Sequence, residues 1–175
     1  MTRPPLTTTS EDLWVLHDRG WYIVDPTNLT LDSAGRNVMG AGISRQVAQR
    51  YSDAPARYGR AIVAQTAGGK AFSGRSLAPT ECVGPLVIVD DERRIIFLPT
   101  KYDWRRPSIL ALIERAIHEL ATIMDSRIAL RVALPRIGAG LGGLDWDRVV
   151  LPLVVKYLDG FGSQLILVDP PQRGS

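Results

Sequence analysis

Short apolar runs that lack a polar/apolar alternation recur along this chain, with amphipathic segments between them. Leu86 to Val89, Ile95 to Leu98, Ile128 to Leu134 and Leu165 to Val168 are the clearest runs. A strand that is apolar on both sides must be covered on both sides, which implies a sheet packed between helices. The helices are read from spacing. Leu110, Ile113, Ile117, Leu120 and Met124 recur at intervals of three and four, after a Pro107 that suits a first helical turn. Ile43, Val47 and Tyr51 mark a helix over 43–51, and Trp146 to Leu158 another in spite of Pro152. Leu86 to Val89 and Ile95 to Leu98 flank a charged turn and form a hairpin. The expected fold is α/β, a three-layer α/β/α arrangement around a mixed, mostly parallel central sheet.

The rest is assigned by the same rules. Residues 1–12, with Pro4, Pro5 and the polar run Thr7 to Ser10, read as a flexible leader, 13–170 as a single domain and 171–175 as a tail. Leu13 to Leu16 and Trp21 to Val24 read as two strands around a turn, the second losing its ladder at Pro26. Between 52 and 85 the chain holds Pro55, Gly59, Gly68, Gly69, Gly74, Pro79, Gly84 and Pro85, and is assigned to loop with one strand at Ala61 to Gln65.

Composition narrows the function. At 175 residues with 45% hydrophobic and 22% charged, the chain suits one domain able to bury roughly two-thirds of its unfolded surface. No apolar run approaches the ~20 residues of a membrane span, and residues 1–12 have no signal-peptide core. A monomer in the cytoplasm, with no membrane partner, is expected. Cys82 is the single cysteine and His17 and His118 the only histidines, which argues against a disulfide, a Cys/His zinc site and a His-based nucleophilic machine. Neither metal nor cofactor is expected. What remains is glycine, 16 residues of it, unevenly placed.

In covered parallel sheets, ligands bind at the carboxyl ends of the strands. Three loops leave such ends. Ile137 to Asp145 reads IGAGLGGLD, where glycines let backbone N–H groups close on an anion at a helix start. Gly138, Gly140 and Gly143 satisfy GxGxxG and Asp169 closes the next strand, but a Rossmann fingerprint opens a domain whereas this unit lies near the chain end. A different phosphate loop and a structural glycine turn both remain open. Asn37 to Ser44, NVMGAGIS, is a second glycine loop leading into a helix, and two such loops suit a ligand with two phosphates. The third, PTKYDWRRP at 99–107, sits in a stretch from Arg93 to Arg106 with five basic residues and one acidic one. Such a run is often a solvated face. Lys101, however, follows the run IIFL at a strand end, and Trp104 beside Arg105 and Arg106 is the interleaving on which single-stranded nucleic acid stacks.

Taken together, VDPTN at 24–28, NVMGAGIS at 37–44, LPTKYDW at 98–104 and PRIGAGLGGLDWDRV at 135–149 resemble the macrodomains, the ADP-ribose-binding fold. The resemblance spans Trp21 to Val168 in the family's order. It is nearest to the branch of terminal ADP-ribose glycohydrolase, the antitoxins that remove ADP-ribose from DNA bases, and related phage proteins. The resemblance implies that Asn28 contacts the distal ribose. Asn37, Val38, Met39, Gly40, Ala41, Gly42 and Ile43 would wrap that ribose and the pyrophosphate. Arg136, Ile137, Gly138, Ala139, Gly140, Leu141, Gly142 and Gly143 would hold the phosphates from the other side, with Thr100 beside Lys101. Lys101 matches the lysine that this branch directs at the anomeric carbon. An aspartate assists it in the protein-directed member, where this chain has Gly142. The nearest carboxylate is Asp145, expected as the second catalytic residue beside Lys101, in a GGLDW pattern that looks more like the DNA-directed antitoxins.

The expected activity is hydrolysis that frees ADP-ribose from a modified nucleic-acid base, ahead of a protein carboxylate. Lys101 could attack as the free amine or, protonated, act as an acid or electrostatic group. A non-catalytic ADP-ribose reader and a phosphatase acting on ADP-ribose 1″-phosphate would share the fold, and a nucleic-acid-binding protein indifferent to ADP-ribose would show a steep salt dependence. His118 is assigned to packing or surface and Cys82 to no role.

Overall fold

The computed structural model describes residues 4–169. In chain order the elements are β1 (Thr7–Thr9), α1 (Leu13–Asp18), β2 (Tyr22–Asn28), β3 (Thr30–Leu31), α2 (Gly42–Arg50), α3 (Ala54–Ala64), β4 (Arg75–Ser76), β5 (Ile88–Asp90), β6 (Ile95–Lys101), α4 (Leu110–Ser126), β7 (Val132–Pro135), α5 (Leu151–Leu158) and β8 (Leu165–Val168). Six strands form one sheet in the order β1-β8-β7-β2-β6-β5, and β3 pairs with β4 separately. Every pairing in the six-stranded sheet is parallel except that of β5 with β6.

Side chains of successive residues leave the sheet on opposite faces. Ile23, Ile95, Phe97 and Ala133 join a core with Leu16 of α1, Val47 of α2 and Tyr58 and Ile62 of α3. Val24, Ile96, Leu98, Val132 and Leu134 join the opposite core with Ile113, Ile117 and Leu120 of α4 and Val154 and Leu158 of α5. The three expected layers are present, and β8 coincides with the run read from the sequence. Each of the valine, leucine, isoleucine and phenylalanine side chains among them, fully buried, contributes roughly 1.5–3 kcal/mol.

Several local expectations are overturned. Part of the leader is sheet, since Thr7 to Thr9 pair with Ile166 to Val168; residues 1–3 and the assigned tail at 171–175 lie outside the described residues. Leu13 to Leu16 is helix, not strand. Asp12 caps it by accepting the Trp14 N–H at 2.8 Å, and Leu13, Leu16 and His17 bury one face. β2 does not stop at Pro26, which stays in register opposite Leu98. Residues 54–64 form α3, where loop and a strand at Ala61 to Gln65 were expected. Its first turn accommodates Pro55, and its interior Gly59 permits a close approach. A Cβ on Gly59 would collide with the Gly35 carbonyl oxygen and stand 3.3 Å from the Asn37 N. Pro107 precedes α4 rather than opening it, the N-cap being Ile109. The run from Ile128 becomes strand only at Val132; Ile128 itself is 85% exposed.

One polar contact fastens the helical layer to the sheet near its carboxyl end. Asp25 of β2 is fully buried, and one carboxylate oxygen accepts from Ser44 Oγ in the first turn of α2 at 2.5 Å. The other oxygen has no partner. Burial raises the Asp25 pKa from 3.8 to about 7, against the opposing pull of the Ser44 hydrogen bond.

Two outcomes follow for stability. Between pH 4 and 7 the folded chain holds a proton on Asp25 that the unfolded chain has released, so this group's contribution falls as the pH rises through that window. Asp25→Asn, which keeps an acceptor for Ser44, should remove that slope from the urea midpoint. An equally steep slope in the variant would assign it elsewhere. Gly59→Ala should cost about 2 kcal/mol in urea unfolding, because overpacking against backbone outweighs the gain in helix propensity.

Candidate functional site

The ladder between β2 and β6 carries an irregularity that builds the site. Pairing runs from Ile23 opposite Ile95 to Thr27 opposite Pro99, and then slips so that Asn28 lies opposite Lys101. Thr100 is the extra residue of this bulge, and bulges re-aim side chains next to functional sites. Thr100 itself is buried, its hydroxyl donating to the Thr27 carbonyl at 3.3 Å. The slip sets Asn28 and Lys101 side by side at the carboxyl ends of the neighbouring strands β2 and β6.

Each is then held from a different direction. Asn28 Nδ2 donates to the Val38 carbonyl at 2.7 Å, and its Oδ1 accepts the Thr30 N–H at 2.9 Å. Asn37 Nδ2 donates back to the carbonyls of Asn28 and Thr30 at 2.9 and 3.1 Å. The two asparagines thus lock the 37–42 loop onto the end of β2, leaving one N–H of Asn28 to offer a ligand. Lys101 Nζ donates to the Leu141 carbonyl at 3.2 Å. The glycine turn that follows β7 therefore crosses to β6, on the far side of β2. It is a 3-10 turn at Gly140 to Gly142, and the Ser108 N–H holds the Gly142 carbonyl at 2.9 Å. Gly138 has φ +74°, a conformation that favours glycine, and a Cβ there would press on Ile113 Cδ1 of α4 at 2.6 Å.

The two glycine loops differ electrostatically. α2 begins without a side-chain cap, its N-cap being Ala41, and Gly40, Ala41 and Gly42 are exposed. Its first N–H groups and the positive end of its dipole are open to an anion. The helix after the second loop is different: a π-helical turn at Trp146 to Val150 precedes α5, and Asp145 caps it by accepting the Arg148 N–H at 3.0 Å. An anion finds that helix start occupied by its own carboxylate. The open helix start on this side is α4, again without a side-chain cap.

The remaining expected residues fall in distinct places. Val38 is half-buried and its N–H donates to the Thr30 carbonyl at 3.1 Å, while Met39 and Ile137 put their side chains into the two cores. Ile43 and Ala139 pack partly against those cores. Arg136 pairs with Asp169 at 2.5 Å. The basic run of 93–106 is not one surface. Arg93 and Arg94 sit at the opposite end of β6, where Arg93 meets Asp53 at 2.7 Å, and Arg105 pairs with Asp103 at 2.8 Å. Trp104 remains 51% exposed on the Lys101 loop, with exposed Arg105 and Arg106 beside it. His118 rests edge-on against Tyr157, and Cys82 is buried, with burial raising its thiol pKa. Among the described residues no three His, Cys, Asp or Glu side chains gather as a metal site, and no helix is long and apolar enough to cross a membrane.

Sequence reading missed Thr30. Its Oγ1 meets Ser76 Oγ at 2.8 Å, accepts the Trp104 N–H at 3.2 Å and donates to the Tyr102 carbonyl at 3.3 Å. The glycine-rich stretch before β5, through β4, thus braces the Lys101 loop. No local signal marks this, because the partners are far apart in sequence.

No family model matches the chain. The DNA ADP-ribosyl glycohydrolase of Mycobacterium tuberculosis is 34% identical over 142 residues, 79% of this chain and 36% of that protein. The chain thus spans about a third of the length of the curated relatives it matches. The solved macrodomain of Mycobacterium tuberculosis DarG is 30% identical with a TM-score of 0.62, covering 94% of this chain and 97% of that one. Thermosipho africanus DarTG, solved in complex with ADP-ribose, has a TM-score of 0.61 at 19% identity over 100% of this chain and 46% of that one, a likeness of fold. The similarity to the mycobacterial DarG domain is nearly end to end on both chains, and the chain belongs to the macrodomain family, in its DarG-type branch.

Proposed function

We propose that this macrodomain is a hydrolase that removes ADP-ribose from a modified DNA base. The observation that carries the reading is the bulge, which sets Lys101 opposite Asn28 and beneath the glycine turn, at the strand ends where this fold takes its ligand. The glycohydrolase name of the mycobacterial relative and the ADP-ribose in the Thermosipho africanus complex support the chemistry.

In this reading the open start of α2 and the backbone of the glycine turn hold the pyrophosphate, and Asn28 uses its remaining N–H on the distal ribose. Hydrolysis breaks the bond between the anomeric carbon and the base; the water oxygen bonds to that carbon and its proton ends on the base. Lys101 leaves the Leu141 carbonyl to serve the anomeric carbon, either as attacking amine, through an imine that water resolves, or as the acid that protonates the departing base. Asp145 contributes by fixing the end of the glycine turn through its cap. Trp104, with Arg105 and Arg106, offers a stacking and charged rim to single-stranded DNA.

Incubation with ADP-ribosylated single-stranded DNA should release free ADP-ribose, and Lys101→Ala should slow release at least 100-fold while ADP-ribose binding persists. Borohydride trapping of a Lys101 adduct would assign the attacking role, and active enzyme without an adduct the acid role. Tight ADP-ribose binding without release from DNA or from glutamate-linked ADP-ribosyl protein would overturn the hydrolase and leave a reader. Trp104→Ala should lower kcat/KM on the DNA substrate about tenfold, within the ~1–3 kcal/mol of one stacked base, with ADP-ribose affinity unchanged. Equal turnover by the variant would place the DNA on another surface.

A further inference from the structure

A serine after a proline and just before an amphipathic helix ordinarily caps the first turn. Ser108 does not. α4 starts two residues later with Ile109 as its N-cap and no side-chain cap. The residue is only 7% exposed, and its hydroxyl is among the buried polar atoms with no hydrogen-bond partner. The backbone around it is fixed at the site: the Ser108 N–H donates to the Gly142 carbonyl and the Ile109 N–H to the Thr100 carbonyl, both at 2.9 Å. The hydroxyl also fills the space a side chain at 142 would take, because a Cβ built on Gly142 would fall on Ser108 Oγ. An unsatisfied hydroxyl is thus held against the glycine turn, one residue before the Ile109 that anchors to Thr100, the neighbour of Lys101.

Leaving a buried hydroxyl unpaired is destabilising, and native proteins rarely tolerate it without a reason. The turn that covers it is tied to Lys101 by one hydrogen bond, through the carbonyl of a Leu141 that is 77% exposed. Gly140 and Gly143, at φ +59° and +76°, bound the turn. When Lys101 is drawn to a ligand, that tie is released, and the turn keeps its bond from the Ser108 N–H to the Gly142 carbonyl as the pivot about which it can shift off the hydroxyl. Building on the function proposed above, we infer that Ser108 is a ligand-contact residue whose hydroxyl donates to an oxygen of the bound ADP-ribose beside Gly142. The partner the hydroxyl lacks arrives with the ligand.

Stability and binding are expected to separate. Calorimetry with ADP-ribose should show Ser108→Ala weakening Kd about tenfold, while its Tm in the absence of ligand is unchanged or higher. Ser108→Cys, which keeps the volume but donates weakly, should weaken binding to a similar degree. Wild-type affinity in Ser108→Ala would overturn the inference, as would weakened binding accompanied by a fall in Tm, which marks a structural serine. Failure of the wild-type protein to bind ADP-ribose would overturn the functional reading, and this contact with it.

Discussion

Between Thr27 and Asn28 the central ladder slips by one residue, and the geometry of the site descends from that slip. Up to Thr27 the pairing is regular, and its alternation assigns Ile23, Ile95 and Phe97 to one core and Val24, Ile96 and Leu98 to the other. Past it, Thr100 turns inward to the Thr27 carbonyl and Lys101 emerges beside Asn28. A regular ladder would have set Thr100 there instead. The same slip lets the Leu29 N–H reach the Lys101 carbonyl at 3.1 Å, which anchors the lysine's own backbone to the turn after β2.

Around that point some polar groups are committed to holding the fold and others are left open. Asn28 reaches the Val38 carbonyl in the loop while Asn37 reaches back to the carbonyls of Asn28 and Thr30, so they act as rivets between strand and loop. Asp145 is spent on its own helix. By contrast the first turns of α2 and α4 have no side-chain cap, and the Ser108 hydroxyl has no partner. Donors without acceptors, gathered at the carboxyl ends of parallel strands, suit a ligand that brings many oxygens and negative charge.

Legibility in the sequence tracked how local the determining forces were. α4 could be read because seventeen residues with a regular apolar stripe declare themselves, and β8 because the short apolar run Leu165 to Val168 follows a helix, where an alternating order of strands and helices calls for a strand. α3 could not: Pro55 and Gly59 look like loop residues, and Gly59 is there because the helix lies against the Gly35 carbonyl, a contact made across the fold. α1 was misread because Leu13 to Leu16 is too short for periodicity to separate helix from strand, and its deciding feature is the Asp12 cap. Pro26 misled for a related reason, since a proline that ends an isolated ladder is tolerated where the neighbouring strand needs no donor from it.

From the residues alone came the layered α/β fold, the two glycine loops and the lysine at a strand end, because glycine content, apolar runs and residue chemistry are local properties. Tertiary structure decided what those loops present. It capped one helix start with Asp145 and left α2 and α4 open. It separated Arg93 and Arg94 from Lys101 by the length of a strand, and it drew Thr30 and Ser108 into the site. Those outcomes depend on strand register, on a one-residue slip and on contacts between residues far apart in the chain, which no short stretch of sequence encodes.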